Sequence, residues 1–322
     1  MEAIKTVGLT KAYGAKRAVD ALNLTVQRGE IYGFVGRNGA GKSTAMKMMA
    51  GLVLPTSGTI ELLGEPQAPG ATSRRMGALI ENPGIHLGLS GLDNVMCRVL
   101  ALGVPNAREA SFEALETVGL AGVAKKRAKS YSLGMKQRLG LALALVGSPD
   151  LLLLDEPFNG LDPQGVREVR TTIVGLAKMR GITVFISSHV LDQLERMVTR
   201  YGVIRDGRLV REMSAEEVDR ECADYLCIRC ATPQVALARL QDAFPQAVFT
   251  MMEDDALRAQ GGLAPQDAGQ VLAQAGIPVT ELFMHERDIE ELFVGLMGTD
   301  VPDSLGVMPG GAPLPPQKNG RL

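Results

Sequence analysis

The chain has 322 residues, enough for two ordinary domains with sizeable cores. Its 34 Lys and Arg against 36 Asp and Glu leave a net charge of -2, which excludes a global basic field of the kind that holds nucleic acid. No apolar run approaches the roughly 20 residues that cross a bilayer, the start Met-Glu-Ala-Ile-Lys-Thr lacks a signal-peptide core, and four cysteines are too few and irregular for a disulfide framework, so a cytoplasmic chain is expected.

Residues 1–30 alternate in the manner of paired strands, Ile4 to Leu9 and Ala18 to Val26, joined through Tyr13-Gly14. The Tyr13 ring in that turn either stacks on a purine or packs, and the residues alone leave both open. Ile31 to Val35 suits a buried strand and Lys42 to Ala50 a helix ending at Gly51. Between them Gly36, Arg37, Asn38, Gly39, Ala40, Gly41, Lys42, Ser43 and Thr44 fit the pattern G-x-x-x-x-G-K-[ST]. In such a loop the backbone N–H groups wrap a polyphosphate, Lys42 approaches the outer phosphates and the Ser43 hydroxyl ligates Mg2+. Strand, glycine loop and helix come in the order this chemistry needs.

Pro55 to Gly58 reads as a turn, Thr59 to Leu63 as a strand, Gly64 to Ala71 as loop, and Met76 to Ile80 as a short strand stopped at Glu81-Asn82-Pro83-Gly84. Ser90 with Asp93, and Asn106 with Glu109, predict capping boxes opening helices over 91–103 and 106–118, within a helical insertion over about 85–147. Lys125, Lys126, Arg127 and Lys129 read as a solvated loop or helix end. Ser132 is placed as N-cap of a helix running through Leu145, which offers a second helix-start anion site. Four leucines, Leu151 to Leu154, then run into Asp155 and Glu156, so a buried strand delivers two carboxylates to the sheet edge where parallel α/β folds bind ligands. An amphipathic helix over Pro163 to Arg180 and a strand over Ile182 to Ile186 follow, the strand carrying Ser187-Ser188-His189 to the same edge.

The alternation predicts a mainly parallel α/β sheet covered on both faces, with an antiparallel N-terminal portion. Composition changes near Met213. Beyond it the predicted order is strand Tyr225 to Cys230, helix Pro233 to Ala243, strands Ala247 to Met251 and Ala256 to Ala259, helix Pro265 to Ala275 and strand Pro278 to Phe283. That βαββαβ order is the split arrangement of a small α+β ferredoxin-like domain, followed by a helix over Arg287 to Met297. Cys227 and Cys230 read as thiols of a strand, not as a metal site. Thr299 to Leu322 is Pro- and Gly-rich and is expected to be a disordered tail.

The ordered set of phosphate loop, Ser132 to Arg138, Asp155-Glu156, Gly160-Leu161-Asp162 and His189 resembles the nucleotide-binding subunit of an ATP-binding cassette transporter over about residues 3–212. Gly77 to Glu81, Tyr131 to Arg138, Asn159 to Pro163 and Ser187 to His189 are similar in wording to the bacitracin and lantibiotic self-protection subgroup. The resemblance implies a P-loop NTPase cassette over 1–212, a small α+β domain over 213–298 and a tail over 299–322. It implies ATP and Mg2+ as cofactors, with Asp155 holding Mg2+ through water, Glu156 orienting or deprotonating the attacking water, and His189 contacting the γ-phosphate. Tyr13 would stack on adenine, with Val19 lining the same surface. Two subunits would close head to tail, so that Ser132 and the Gly134 backbone reach the γ-phosphate in the partner's loop, with Asp162 at that interface.

Two positions depart from the family's usual pattern. Glu81 replaces a glutamine and would still ligate Mg2+, and the signature reads Ser-Leu-Gly-Met in place of Ser-Gly-Gly-Gln. The implied function is a Mg-dependent ATPase at the cytoplasmic face of the membrane, driving export of an antimicrobial peptide or drug. Its implied partners are separate multi-spanning permease subunits and a second copy of itself or a homologous ATPase subunit, with no nucleic acid. Two alternatives stay open, an ATP-driven sensing subunit of a membrane complex and a soluble cassette ATPase without a transport role.

Overall fold

The computed structural model describes residues 1–68, 70–252, 254–285 and 289–298. Strands β1 (Glu2–Tyr13) and β2 (Lys16–Gln27) form an antiparallel hairpin, each longer than its apolar alternation predicts. Next come β3 (Ile31–Val35), buried at every residue, α1 (Lys42–Met49) and β4 (Ser57–Leu62). A two-residue β5 (Glu65–Pro66), inside a stretch expected to be loop, completes a four-stranded sheet in the order β2-β1-β4-β5.

The central sheet is built from later segments. β6 (Met76–Leu79) precedes helices α2 (Gly91–Leu102), α3 (Ala107–Thr117) and α4 (Leu133–Leu145), and then β7 (Leu151–Asp155), α5 (Pro163–Arg180), β8 (Thr183–Ser188), β9 (Arg200–Arg205) and β10 (Arg208–Ser214). The strand order is β10-β9-β3-β8-β7-β6, parallel from β9 to β6 with β10 antiparallel at one edge. Covering both faces explains the unbroken leucine run: Leu152 and Leu154 join Val184 and Ile186 in one core, while Leu151 and Leu153 join Tyr32, Phe34 and Phe185 in the other. The first core takes in α2 to α5; the second takes in α1 and the antiparallel sheet.

The helical insertion forms with one predicted cap missing. Ser90 Oγ accepts the Asp93 N–H at 3.0 Å, as expected, while the Asp93 carboxylate takes the serine hydroxyl and not the N-cap backbone. At α3 the predicted box does not form, because Asn106 adopts a left-handed conformation (φ 51°) and its side chain makes no cap; a side-chain cap needs extended backbone at that position.

After β10 the chain forms α6 (Ala215–Glu221), opened by a capping box in which Ser214 and Glu217 bond reciprocally. The remaining elements are β11 (Tyr225–Cys230), α7 (Pro233–Ala243), β12 (Val248–Met251), β13 (Leu257–Gln260), α8 (Pro265–Gln274), β14 (Val279–His285) and α9 (Ile289–Met297). Their sheet runs β12-β13-β11-β14 with antiparallel neighbours, the predicted split order, and Leu240 and Leu272 of α7 and α8 close a core with Leu226, Ile228 and Leu257. α9 packs elsewhere: Leu292 and Phe293 are buried in the first cassette core, with the Phe293 ring edge-on to Tyr201 at 5.3 Å. The expected start of that helix at Arg287 and the tail over 299–322 lie outside the described residues.

Candidate functional site

The loop from Gly36 to Thr44 is built by close approach. A Cβ on Gly36 would lie 2.5 Å from the Ile204 carbonyl oxygen, and one on Gly41 (φ 111°) would lie 2.4 Å from that of Ala18. Only glycine lets β9 and β2 press against the loop from behind. α1 opens from Gly41 with no side-chain cap and no acidic residue in its first turn, which leaves its positive end for an anion. Lys42 is 5% exposed; its Nζ donates to Gly36 O at 2.6 Å and to Arg37 O at 3.3 Å, and lies 3.4 Å from Glu156 Oε1.

A cavity of about 540 Å³ lies in front of this loop. Asn38, Gly39, Gly41, Lys42, Ser43 and Thr44 line it together with Glu156, His189 and Tyr13. Gly36 sits behind the loop, and Ala40 faces a neighbouring groove instead. Tyr13 is 54% exposed, with Lys11 Nζ 5.0 Å from the ring centroid. Val19 does not line this surface: it is fully buried in the second core, and strand alternation puts Ala18 at the cavity in its place. Lys16, Ala18 and Asn159 also line the cavity, none of them expected as a site residue.

The carboxylates take distinct positions. Asp155 is 5% exposed, and its Oδ1 accepts the Ser187 hydroxyl at 2.6 Å from the paired position on β8. Ser187 Oγ in turn accepts the Glu156 N–H at 3.0 Å, which holds Glu156 in a left-handed conformation (φ 49°) at the strand end. The Glu156 side chain then lies between Lys42 and His189, whose Nδ1 is 2.8 Å from Oε2. Ser187 is thus a structural hinge of the acid pair, legible only once β7 and β8 are known to be neighbours.

Glu81 stands apart from this group. Glu81 is not among the residues that line the cavity; its carboxylate is ion-paired to Lys47 of α1 at 2.5 Å. Lys47 lies one helical turn beyond Ser43 on α1.

Ser132, Gly134 and Asp162 do not line this chain's own cavity. Ser132 caps α4, accepting the Met135 N–H at 3.2 Å, and Asp162 caps α5, accepting the Gly165 N–H at 3.0 Å. The two caps are packed together: Leu133 closes over Gly160, where a Cβ would be 2.7 Å from Leu133 Cδ2, and Leu161 sits beside Gly134. Ser132 and Gly134 therefore project as a unit with Asp162.

The Ser43 hydroxyl on the cavity lining and the Asp155 carboxylate at the end of β7 are oxygen ligands of the kind that suit Mg2+, which keeps several waters and takes few protein ligands. Among the described residues no group of three or more His, Cys, Asp or Glu is placed to hold a metal alone.

A family model described as ABC transporter matches residues 19–159. The chain is 40% identical over 298 residues to the bacitracin transport ATP-binding protein BcrA of Bacillus licheniformis, covering 92% of this chain and 97% of that protein. It is 41% identical over 209 residues to the lantibiotic transport ATP-binding protein SrtF of Streptococcus pyogenes, covering 65% of this chain and 90% of the relative. Among solved structures, cbiO1 from Clostridium perfringens, described as part of the ABC transporter complex cbiONQ, aligns with a TM-score of 0.62 at 27% identity over 76% of this chain and 96% of its own.

Proposed function

The chain belongs to the ATP-binding cassette transporter family, a premise from which we infer that it is the Mg-dependent ATP-hydrolysing subunit of an exporter, paired with a second cassette and acting on separate membrane-spanning chains. One observation carries the reading: the Glu156 carboxylate is held between Lys42 and His189 on the wall of the phosphate-loop cavity. A carboxylate fixed beside the phosphates, and free to accept a proton, is what activation of an attacking water requires.

The residues divide the work. The loop N–H groups and the positive end of α1 bind the β and γ oxygens, and Lys42, held at the loop by Gly36 O, meets the outer phosphates. Ser43 and, through water, Asp155 would hold Mg2+, which would supply charge neutralisation for those oxygens. Glu156 Oε takes the proton of the attacking water, and His189 fixes the carboxylate's direction. Tyr13 offers its exposed ring to the adenine.

Ser132, Gly134 and Asp162 are not among the residues that line this cavity, and Ser132 and Asp162 are exposed, which supports completion of each ATP site by the partner cassette's Ser132 helix. A groove of about 520 Å³ between the β6 end and helices α2 and α4, lined by Asn82, Pro83, His86 and Cys97, with Leu52 66% exposed, suits a segment of a permease at the cytoplasmic face. The naming of the relatives supports an antimicrobial peptide or drug as cargo. The division that goes with this reading is a cassette over 1–212 and a small α+β domain over 213–298, with α9 returning to the cassette.

Glu156→Gln is expected to lower steady-state ATP turnover by a factor on the order of 10² to 10⁴, the range for loss of a general base, with nucleotide binding retained. Normal turnover by that variant would remove the assignment.

A further inference from the structure

We propose that Lys47 is a positioning residue that latches Glu81 away from the nucleotide's metal, so that its ion pair with Glu81 sets the Mg2+ concentration at which segment 81–86 is released. The latch rests on the reading of the cavity as a Mg-ATP site.

Register places Glu81 at the catalytic edge. β6 and β7 are parallel with Leu79 opposite Leu154, so Glu81 and Glu156 each stand two residues beyond a paired position, at the same end of the sheet. There its carboxylate pairs with Lys47 of α1. Lys47 follows Ser43 by one turn of α1, and Ser43, Thr44 and Lys47 make the partly exposed stripe of that helix. The helix that begins at the phosphates therefore carries the cation that holds Glu81.

Two further observations make the contact a latch and not an ordinary surface pair. Glu81 adopts a left-handed backbone (φ 59°), a conformation that residues with a Cβ enter reluctantly and that its neighbours must hold in place. The residues that follow it are in direct touch with the rest of the machinery. Asn82, Pro83 and His86 line the groove beside α2 and α4, and Pro83 packs on Gly140, where a Cβ would lie 2.4 Å from Pro83 Cβ. α4 is the helix that starts at Ser132. Release of Glu81 from Lys47 therefore moves a segment pressed against both the groove and the signature helix.

The pair is also weak enough to be switched. The Lys47 and Glu81 side chains are 28% and 57% exposed, so solvent competes for both charges, and loss of the pair is expected to shift a competing equilibrium only about two- to five-fold.

The test uses the full chain and a fluorescent, non-hydrolysable ATP analogue titrated with MgCl2. Lys47→Met is expected to lower the half-saturating Mg2+ about two- to five-fold, the worth of an exposed ion pair, and Lys47→Arg to behave as wild type. In a Glu81→Gln background the Lys47→Met change is expected to have no effect, because there is no carboxylate left to release. A Mg2+ dependence unmoved by Lys47→Met overturns the latch. An equal shift with and without Glu81 also overturns it, since that is general electrostatics. Wild-type binding indifferent to Mg2+ overturns the Mg-ATP reading of the cavity as well, and so separates the two failures.

Discussion

Asp20 shows how single residues brace the site. Its carboxylate takes the Arg17 guanidinium at 2.7 Å and Arg208 through two nitrogens at 2.9 and 2.6 Å, while its N–H donates to Gly207 O at 2.9 Å. These bonds tie β2 to the turn between β9 and β10, directly behind Gly41, whose Cβ would meet both Ala18 O and Gly207 Cα. Hydrogen bonds from Arg17 first and Arg208 second hold the Asp20 carboxyl below the usual carboxylate range. A depressed carboxyl stabilises fully above its ordinary value and loses that contribution as pH falls through its folded one. Asp20→Asn is therefore expected to be less stable than wild type at neutral pH, with the gap closing on acidification below the ordinary carboxylate value; denaturant midpoints across pH check this. The gathering of the phosphate loop, Asp155, Glu156 and His189 at one sheet edge was legible because each sits in a motif or at a strand end that is local in sequence. Val19 and Glu81 were not, because which side chain a strand turns inward and which cation lies nearest are decided by neighbours remote in sequence.

At the scale of elements, close packing between helix and sheet is the exacting feature. Gly77 of β6 lies against α4 so tightly that a Cβ would be 2.0 Å from the Ala144 carbonyl oxygen. Backbone cannot yield as a side chain does, so Gly77→Ala is expected to destabilise by about 1–3 kcal/mol, the usual cost of overpacking, measured by chemical denaturation. Strands β3 and β7 announced themselves as short apolar runs because both faces are buried. β9 and β10 did not: Arg200, Gly202 and Arg205 interrupt the first, and the second is an edge strand half open to solvent. Gly202 is itself a product of tertiary packing, since a Cβ there would meet the Tyr32 hydroxyl at 2.0 Å. That hydroxyl donates to Glu212 at 2.6 Å, and burial raises its pKa well above the ordinary tyrosine value. The box at Ser214 and Glu217 is written in the sequence as S-x-x-E, while the one expected at Asn106 is defeated by a left-handed backbone.

Across the whole molecule, the βαββαβ order was readable because each element carries its own punctuation, with Pro233 and Pro265 opening α7 and α8. Where α9 goes was not readable, because its partners are Tyr201 and the cassette core, far away in sequence. Its last carbonyls lie against cations of the cassette: Arg205 donates to Leu296 O at 3.2 Å and Arg37, from the phosphate loop itself, to Gly298 O at 3.4 Å. The small sheet is thus tied at its end to the rim of the nucleotide site. The central claim concerns two such chains, each completing the other's site with the Ser132 surface that its own cavity does not use. Its most direct test is the mass of the Glu156→Gln chain with and without saturating Mg-ATP, in solution and in the reconstituted membrane complex. The account predicts a nucleotide-dependent dimer that reverts to monomer when Mg2+ is chelated; a chain that stays monomeric under saturating Mg-ATP in both settings would contradict it.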